Sequence, residues 1–399
     1  MKQTAKEMPE QQSVAGQKMG VNEKYNLPNV VKYCKKCVIS NQRPRIVFDE
    51  EGICNACHFA EYKKNKVNWN DRDKELRDLL SQHRSKDGRH DVIVPASGGK
   101  DSGFVAHKLK YEYGMNPLTV TWAPHIYTDV GWENFQGLLN SGLDNITGTP
   151  NGAVHRRLTL MSMREIGDPF QPFIYGQTLF PLQIALKFGI KLVFYGENGE
   201  AEYGGEAKAW DVKSVTMDEF GTRFFSDFPV EYWLEKGFAN SDLAHYLPPD
   251  SGELKQSGIE RHFFSYYNKW VPQENFYYCS KHVGFKPNPE GRSEGTYSKY
   301  ASLDDKIDGF HYYFMLLKFG IGRATADAAH EIRDGHITRE EAIALVQRYD
   351  TEFPMKNFQE FLNYCNTDED EFWKIVEKWR NPKLWKRNDN KWALENQIK

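Results

Sequence analysis

The chain has 399 residues, 40% of them hydrophobic, and a formal charge of −3. This length suits two or three folded units, and the near balance of 52 basic and 55 acidic side chains makes nucleic acid an improbable partner, because phosphate binding needs a basic excess. A mean hydropathy of −0.69 and the lack of a long apolar run argue against a membrane span. Residues 1–30 contain no apolar stretch typical of a secretion signal, so we expect a disordered arm on a cytoplasmic protein.

Four of the six cysteines form two close pairs near the N-terminus, in a C-x2-C-x16-C-x2-C pattern: Cys34, Cys37, Cys54 and Cys57. This spacing is typical of a structural zinc site, in which four thiolates fill a tetrahedral shell and leave no position for a reacting water. We therefore predict a zinc ribbon over residues 31–62, with a hairpin that carries one metal-binding turn at each end. Cys54 to His58 also reads as the C-x-x-C-H of c-type haem proteins, and an iron–sulfur cluster is a further alternative.

The rest of the chain divides by its hydrophobic periodicity. Residues 63–90 are highly charged, with leucines at helical spacing, and predict a linker helix. Residues 91–300 begin with alternating strands and helices, which predicts an α/β domain with a doubly wound parallel sheet and a ligand site beyond the carboxyl ends of its strands. Within them, residues 206–300 show few clear periodicities and suggest a substrate region. Residues 301–399 predict a helical C-terminal region.

A glycine-rich turn, Ser97-Gly98-Gly99-Lys100-Asp101-Ser102, directly follows the first predicted strand of this domain and opens a helix. A glycine pair allows backbone amides to approach an anion, and the helix N-terminus adds partial positive charge. The turn matches neither the Walker A loop nor the dinucleotide-binding pattern G-x-G-x-x-G. Its S-G-G-x-D-S form resembles the pyrophosphate-binding loop of the PP-loop ATPases, also called N-type ATP pyrophosphatases.

This resemblance implies an adenine nucleotide alpha hydrolase-like fold and an adenylylation reaction. A substrate oxygen attacks the α-phosphate of ATP, the loop holds the departing pyrophosphate, and a nucleophile then displaces AMP. All six loop residues are expected to bind ATP, Lys100 and Asp101 also having catalytic roles, with Asp101 as a Mg²⁺ ligand. Thr121 and Trp122 are candidates for contacts to adenosine. Gly196 and Glu197, at the end of a later strand, are candidates for a second Mg²⁺ carboxylate site.

Longer stretches resemble one branch of this superfamily, the N-acetyl sugar amidotransferases of bacterial surface-polysaccharide and nonulosonic acid biosynthesis. They are YCKKCVISNQRPRIVFDEEGICNAC, VPASGGKDS, YGENGEAEYGGE at 195–206, and GTYSKYASLDDKIDGFHYYFMLLKFGIGRATADAAHEIRDGHI at 295–337. The resemblance implies conversion of the acetamido group of a nucleotide-activated N-acetyl sugar to an acetamidino group. It also implies a separate glutaminase subunit, similar to that of imidazole-glycerol-phosphate synthase, with the matching barrel subunit as a further partner.

The charged and aromatic cluster over residues 281–311 is then expected to bind an anionic sugar. Arg292, Lys299 and Lys306 are the candidate cations for it. Asp304 and Asp305 are candidates for binding Mg²⁺ or orienting the nucleophile, and His311 for moving a proton. Two other functions remain open from the sequence: a PP-loop tRNA thiolase with an N-terminal zinc module, and a non-catalytic sensor of adenine nucleotides.

Overall fold

A computed structural model describes residues 20–205, 207–215, 228–389 and 391–399. Most of the expected N-terminal arm, residues 1–19, and Glu206 of the quoted 195–206 stretch lie outside the described residues. Residues 20–30 do not form an arm, because they contain helix α1 (Val21–Lys24) and Leu27, which is only 8% exposed. The packed chain therefore begins before the predicted boundary at residue 31.

The N-terminal cysteine module, residues 33–65, is held by two antiparallel bridges and one helix. The bridges join Tyr33 to Ser40 and Phe48 to Cys54, and helix α2 (Asn55–Asn65) begins immediately after the third cysteine. Helix α3 (Trp69–His83) corresponds to the predicted linker helix, and it buries Leu76 and Leu80 completely.

The central domain is a five-stranded parallel sheet of order β3-β2-β1-β4-β5. Its first part contains β1 (Val92–Pro95), α4 (Lys100–Tyr111), β2 (Pro117–Trp122), α5 (Asp129–Asn140), β3 (Asp144–Gly148), α6 (Gly152–Ile166), α7 (Gln171–Phe188) and β4 (Leu192–Tyr195). The part after β4 contains α8 (Gly199–Glu202), α9 (Asn240–Leu243), α10 (Ser251–Ser257), β5 (Glu260–Phe263), α11 (Phe264–Tyr267) and α12 (Pro272–His282).

Both faces of this sheet are buried by helices, as the doubly wound prediction requires. Val92 and Val94 of β1 face a core formed with α3, α4 and α12, whereas Ile93 faces a core formed with α6 and α7. Successive strand residues point to opposite faces, so a strand buried on both sides reads as a continuous apolar run. The predicted α/β fold class is therefore confirmed.

The C-terminal region is mainly helical, as predicted. It ends in a short antiparallel hairpin, which the sequence analysis did not predict. Its elements are α13 (Asp308–Phe319), α14 (Arg323–Asp334), α15 (Arg339–Tyr349), α16 (Phe358–Cys365), α17 (Glu369–Trp379), β6 (Trp385–Asn388) and β7 (Lys391–Leu394). An aromatic core holds the helices together, with the rings of Phe310 and Phe361 stacked at 4.0 Å. In the described part of the chain, no helix has both the length and the apolar surface needed to cross a membrane.

Candidate active site

A cavity of about 520 Å³ opens at the carboxyl ends of the strands. Three segments form about half of its lining: the loop after β1 (residues 97–102), the turn after β4 (residues 196–199), and residues 300–304 ahead of α13. Aromatic residues of α7 and its N-terminal turn, Phe170 and Phe173, form an apolar wall. The position is the one expected for a ligand of a parallel α/β sheet.

The loop after β1 has the backbone geometry of an anion cradle. Gly98 has φ +96°, and a Cβ there would lie 2.7 Å from the backbone of Phe135, so both conformation and space require glycine. Gly99 is the N-cap of α4, and the hydroxyl of Ser102 donates to its carbonyl over 3.1 Å. The amides of the first turn of α4 therefore lack helical partners at the cavity, where they are suited to bind phosphate oxygens.

Lys100 and Asp101 place opposite charges beside this cradle. The Lys100 ammonium, on a residue only 9% exposed, forms an ion pair with Asp101 and lies 5.1 Å from the ring centre of Tyr300. The other carboxylate oxygen of Asp101 accepts a hydrogen bond of 3.1 Å from the Asn275 amide. The lysine is thus held at the cavity wall, within reach of a phosphate, and α12 fixes the aspartate.

Further carboxyl groups line the same cavity, and their pKa values are raised. Burial and the neighbouring Asp101 raise the pKa of Glu197 to about 7. Burial and the neighbouring Asp308 raise the pKa of Asp304 to about 6, although a hydrogen bond with Ser97 opposes the rise. Burial and neighbouring like charges account for both rises, and carboxylate oxygens are ligands preferred by Mg²⁺. Asp101, Glu197 and Asp304 are therefore the candidate ligands for a divalent cation, although in the described residues only the four N-terminal cysteines place three or more potential ligand atoms within 4.8 Å of one another.

The two residues predicted to contact adenosine have different positions. The Thr121 side chain is fully buried, donates to the Ala96 carbonyl over 2.5 Å and accepts from Asn145, so it supports the loop from behind and does not line the cavity. Trp122 does line the cavity, and its indole covers Gly176, where a Cβ would lie 2.1 Å from the ring. Among the described residues, no hydrogen-bond acceptor reaches its buried indole N–H.

Asp305 is placed away from the cavity, unlike its neighbour Asp304. Its carboxylate accepts hydrogen bonds of 2.7 Å from both the backbone amide and the ring Nδ1 of His125, and of 2.9 Å from the Ile307 amide. With its side chain 1% exposed, it fastens the loop after β2 to the start of α13. These contacts do not agree with the expected role in metal binding or nucleophile orientation.

His311 lies one layer behind the cavity. Its Nδ1 is 2.8 Å from Asp168 and its ring packs against Phe170 of the cavity wall. Burial by itself would lower the pKa of His311, but the Asp168 carboxylate outweighs it and raises the pKa. The imidazolium is therefore stabilised by Asp168, and the ring is not among the lining groups that would exchange protons with a bound substrate.

None of the three predicted sugar-binding cations lines the main cavity. Arg292 binds Glu352 with two hydrogen bonds of 2.7 and 3.0 Å, and Lys306 pairs with Glu360 at 2.7 Å, both beside a second cavity of about 550 Å³. The Lys299 ammonium lies 4.8 Å from the ring centre of Phe276. Their charges are largely used within the protein, so the structure does not gather them into one anion site.

The structure instead places Arg323 and Arg261 in the cavity lining. Arg323 begins α14, where it pairs with Asp327 at 3.1 Å and contacts the Tyr312 hydroxyl. A cation in the first turn of a helix interacts unfavourably with the helix dipole. Arg323 at that position was therefore a sign of a functional role that the sequence of the 295–337 stretch already contained. Arg261 comes from β5, a strand that the sequence analysis did not identify.

The four N-terminal cysteines converge on one buried point, with their sulfur atoms all within 4.8 Å of one another. The Sγ atoms of Cys34 and Cys57 are 3.9 Å apart, and those of Cys37 and Cys54 are 3.7 Å apart. Zn–S bonds of about 2.3 Å in a tetrahedron place sulfurs about 3.8 Å apart, so the cluster fits zinc. His58 is turned to Asp49, at 2.6 Å. Convergence of both cysteine pairs favours the metal site over haem attachment.

Comparison with known proteins gives one match to a family model and matches to solved structures. Residues 294–399, about a quarter of the chain, match the family described as LPS biosynthesis protein WbpG-like, C-terminal domain. This match confirms, for that region, the resemblance to proteins of bacterial surface-polysaccharide biosynthesis. No curated protein matches the chain. Among solved structures, NMN synthetase from Francisella tularensis is similar at a TM-score of 0.33 and 11% identity, over 68% of this chain and 94% of that one.

Proposed function

We propose that this chain is a cytoplasmic, ATP-dependent amidotransferase that converts the acetamido group of a nucleotide-activated N-acetyl sugar to an acetamidino group, for a lipopolysaccharide or related surface glycan. The observation that carries this proposal is the single cavity in which the Ser97–Ser102 loop faces Glu197 and Asp304. The match of residues 294–399 to a lipopolysaccharide biosynthesis domain supports the substrate class. That match includes Asp304 and Arg323, which line the same cavity as the loop.

An amide carbon is a poor electrophile, so its oxygen must first become a leaving group. In the proposed first step the acetamido oxygen forms a bond to the α-phosphorus of ATP, and the bond from that phosphorus to pyrophosphate breaks. The loop amides and the Lys100 ammonium stabilise the charge that develops on pyrophosphate. Mg²⁺, which Asp101, Glu197 and Asp304 would hold, supplies further neutralisation of the phosphate oxygens.

In the second step ammonia adds to the activated carbon, loses protons, and AMP departs with the former amide oxygen. Ammonia must attack the activated carbon in its neutral form. A carboxylate at the cavity wall can then take the proton that the nitrogen releases. The apolar wall of Phe170 and Phe173 limits water, which would otherwise hydrolyse the adenylate.

The source of ammonia in this proposal is a separate glutaminase subunit. The two cysteines outside the metal cluster are buried: Cys279 donates its S–H to the Lys100 carbonyl over 3.0 Å, and Cys365 lies in the C-terminal core. Burial raises the pKa of both thiols, so neither is a ready nucleophile for glutamine. The same two facts disfavour the tRNA thiolase alternative, which needs a reactive sulfur near the loop.

The test is pyrophosphate release from ATP with ammonium chloride at mildly alkaline pH and a panel of nucleotide-activated N-acetyl sugars. We expect sugar-dependent release of pyrophosphate and AMP, with a product whose mass falls by the difference between an oxygen atom and an NH group. Asp101→Asn should abolish release, whereas Asp87→Asn, on an exposed loop, should not. Release that depends on tRNA and a sulfur donor would move the chain to the thiolases. ATP binding without any pyrophosphate release would favour the nucleotide sensor.

A further inference from the structure

The segment from Gly196 to Gly205 connects two sites that the sequence treats separately. It leaves β4 at the cavity, where Gly196 and Glu197 are part of the lining, and passes through the short helix α8. Its last residues lie against the cysteine module, which is more than 130 residues earlier in the chain. Ser265 holds the start of the segment, because its hydroxyl accepts from the Asn198 amide over 3.0 Å and its amide donates to the Gly196 carbonyl over 3.0 Å, so the module acts on Glu197 through the other end.

A buried ion pair holds the middle of the segment. The Lys63 ammonium, on helix α2 of the cysteine module, binds both carboxylate oxygens of Glu202 at 2.7 and 2.8 Å. The Lys63 side chain is 13% exposed and that of Glu202 only 3%. Burial alone would raise the pKa of Glu202, but Lys63 and His330 outweigh it and lower the pKa to about 2. Glu202 is thus charged at neutral pH, and its position is set by the module and by α14.

Further contacts fix the neighbouring residues to the same module. Arg45 donates to the two carboxylate oxygens of Glu200 at 2.5 and 3.3 Å, and the Asn55 amide donates to the Gly205 carbonyl. Arg45 lies between the two cysteine pairs, and Asn55 between the cysteines of the second pair. The module therefore contacts the segment through residues whose own positions depend on the cysteine cluster.

Gly204 shows how close this approach is. It has φ +95°, and a Cβ there would lie 3.0 Å from the side-chain oxygen of Asn55 and 3.1 Å from the Ile46 side chain. A larger residue would separate the segment from the module. The need for glycine at position 204 of the YGENGEAEYGGE stretch is thus explained by contact with the cysteine module and not by contact with a ligand.

We infer that the cysteine module positions Glu197 in the nucleotide site, with Lys63 and Arg45 as the positioning residues. The functional half of this inference rests on the proposed function, in which Glu197 binds the cation that accompanies ATP. The module then has a role beyond its own folding, because it fixes the position of a carboxylate in the proposed ATP site. Neither positioning residue lines the ATP cavity, and both act through Glu200 and Glu202.

The test compares Lys63→Met and Arg45→Met with Lys64→Met in the full-length, zinc-loaded protein. Lys64 is exposed on the same helix, which makes it a matched control, and Lys63→Arg should restore the ion pair. Arg45→Met removes a side chain that is 45% exposed, so it guards against a Lys63 variant that fails to fold. The first readout is hydrogen–deuterium exchange of the peptide over 196–205. The second is the affinity for Mg·ATP without sugar, with zinc content measured in each sample.

We expect both variants to keep their zinc, to exchange residues 196–205 about tenfold faster and to bind Mg·ATP about tenfold more weakly, the size of effect typical for a lost charged hydrogen bond. Lys64→Met and Lys63→Arg should behave as wild type. Unchanged exchange would overturn the inference, and faster exchange with unchanged affinity would overturn the positioning of Glu197. A wild-type protein that binds no Mg·ATP would instead refute the proposed function, and exchange would still report on the contact with the module.

Discussion

The pKa of Glu197, raised to about 7, makes the affinity for Mg·ATP depend on pH in a predictable direction. A cation binds the carboxylate and not the carboxylic acid, so binding must expel the proton wherever Glu197 is protonated. Between pH 8 and pH 6 the charged fraction of a group with this pKa falls from about nine-tenths to about one-tenth. The affinity should therefore fall about tenfold, equivalent to about 1.4 kcal/mol.

The measurement is isothermal titration with Mg·ATP at pH 6, 7 and 8, for the wild type and Glu197→Gln. The terminal phosphate of ATP titrates near pH 6 in both experiments, so the ratio of the two affinities isolates Glu197. Asp304 has a pKa of about 6, so its partial protonation at pH 6 should weaken the affinity for Mg·ATP by up to about a further twofold. This loss of affinity should be the same in Glu197→Gln. A ratio that does not change with pH would refute the assignment of Glu197 as a cation ligand.

Thermal unfolding gives an independent check of the same group. The folded-state pKa of Glu197 lies above its ordinary value of 4.5, so the stability it contributes is fully present below about pH 4.5 and is lost as pH rises through about 7. Without ligand, the melting temperature of the wild type should fall relative to that of Glu197→Gln between about pH 4.5 and about pH 7. Mg·ATP should restore the melting temperature that the wild type loses. A wild type that gained melting temperature relative to Glu197→Gln as the pH rose would contradict the reasoning.

Three further outcomes are expected. Gly98→Ala should destabilise the protein by about 2–4 kcal/mol in urea unfolding, because it combines a positive φ with a backbone clash, whereas Gly88→Ala, with positive φ but open space, should cost about 1–2 kcal/mol. Cys34→Ser should lose the metal, measured as zinc per chain by elemental analysis, and lower the melting temperature; retained zinc would contradict the four-thiolate site. Gly176→Ala should push the Trp122 indole towards the cavity and weaken Mg·ATP binding, and an unchanged affinity would argue against a nucleotide next to that ring.

The parts of the fold and site that the sequence predicted well are those set by local pattern. β1, the loop and α4 follow one another without interruption, and an apolar strand, a glycine pair and a helix start are all visible within twenty residues. β5 was missed because two of its four residues, Arg261 and His262, are polar yet 3% and 2% exposed. Their burial depends on partners such as the Tyr267 hydroxyl, 2.8 Å from His262, and periodicity does not report such pairs. The C-terminal hairpin was missed because most of its residues are exposed, so no apolar face marks it.

The charged residues of the C-terminal half show the same limit. Asp304 and Asp305 are adjacent and equivalent by sequence, but one lines the cavity and the other binds His125, 180 residues away. Arg292 and Lys306, which were predicted to bind a substrate, form ion pairs with Glu352 and Glu360 in the structure. A cation in a sequence shows that a counter-charge is needed, and only the tertiary structure shows whether the protein supplies it.

The packing of the cysteine module has a consequence for synthesis of the chain. Its small core is completed by residues of the C-terminal region, including Phe319, Ala342 and Ile398, and the Tyr33 hydroxyl donates to the Asn396 carbonyl over 2.7 Å. At usual rates of translation, roughly 20 to 70 s pass between the appearance of the last cluster cysteine and that of these final residues. During that interval the thiols lack their covering helices. Early zinc capture on the ribosome would protect them from oxidation, so expression under zinc limitation should yield misfolded protein before it yields a metal-free native form.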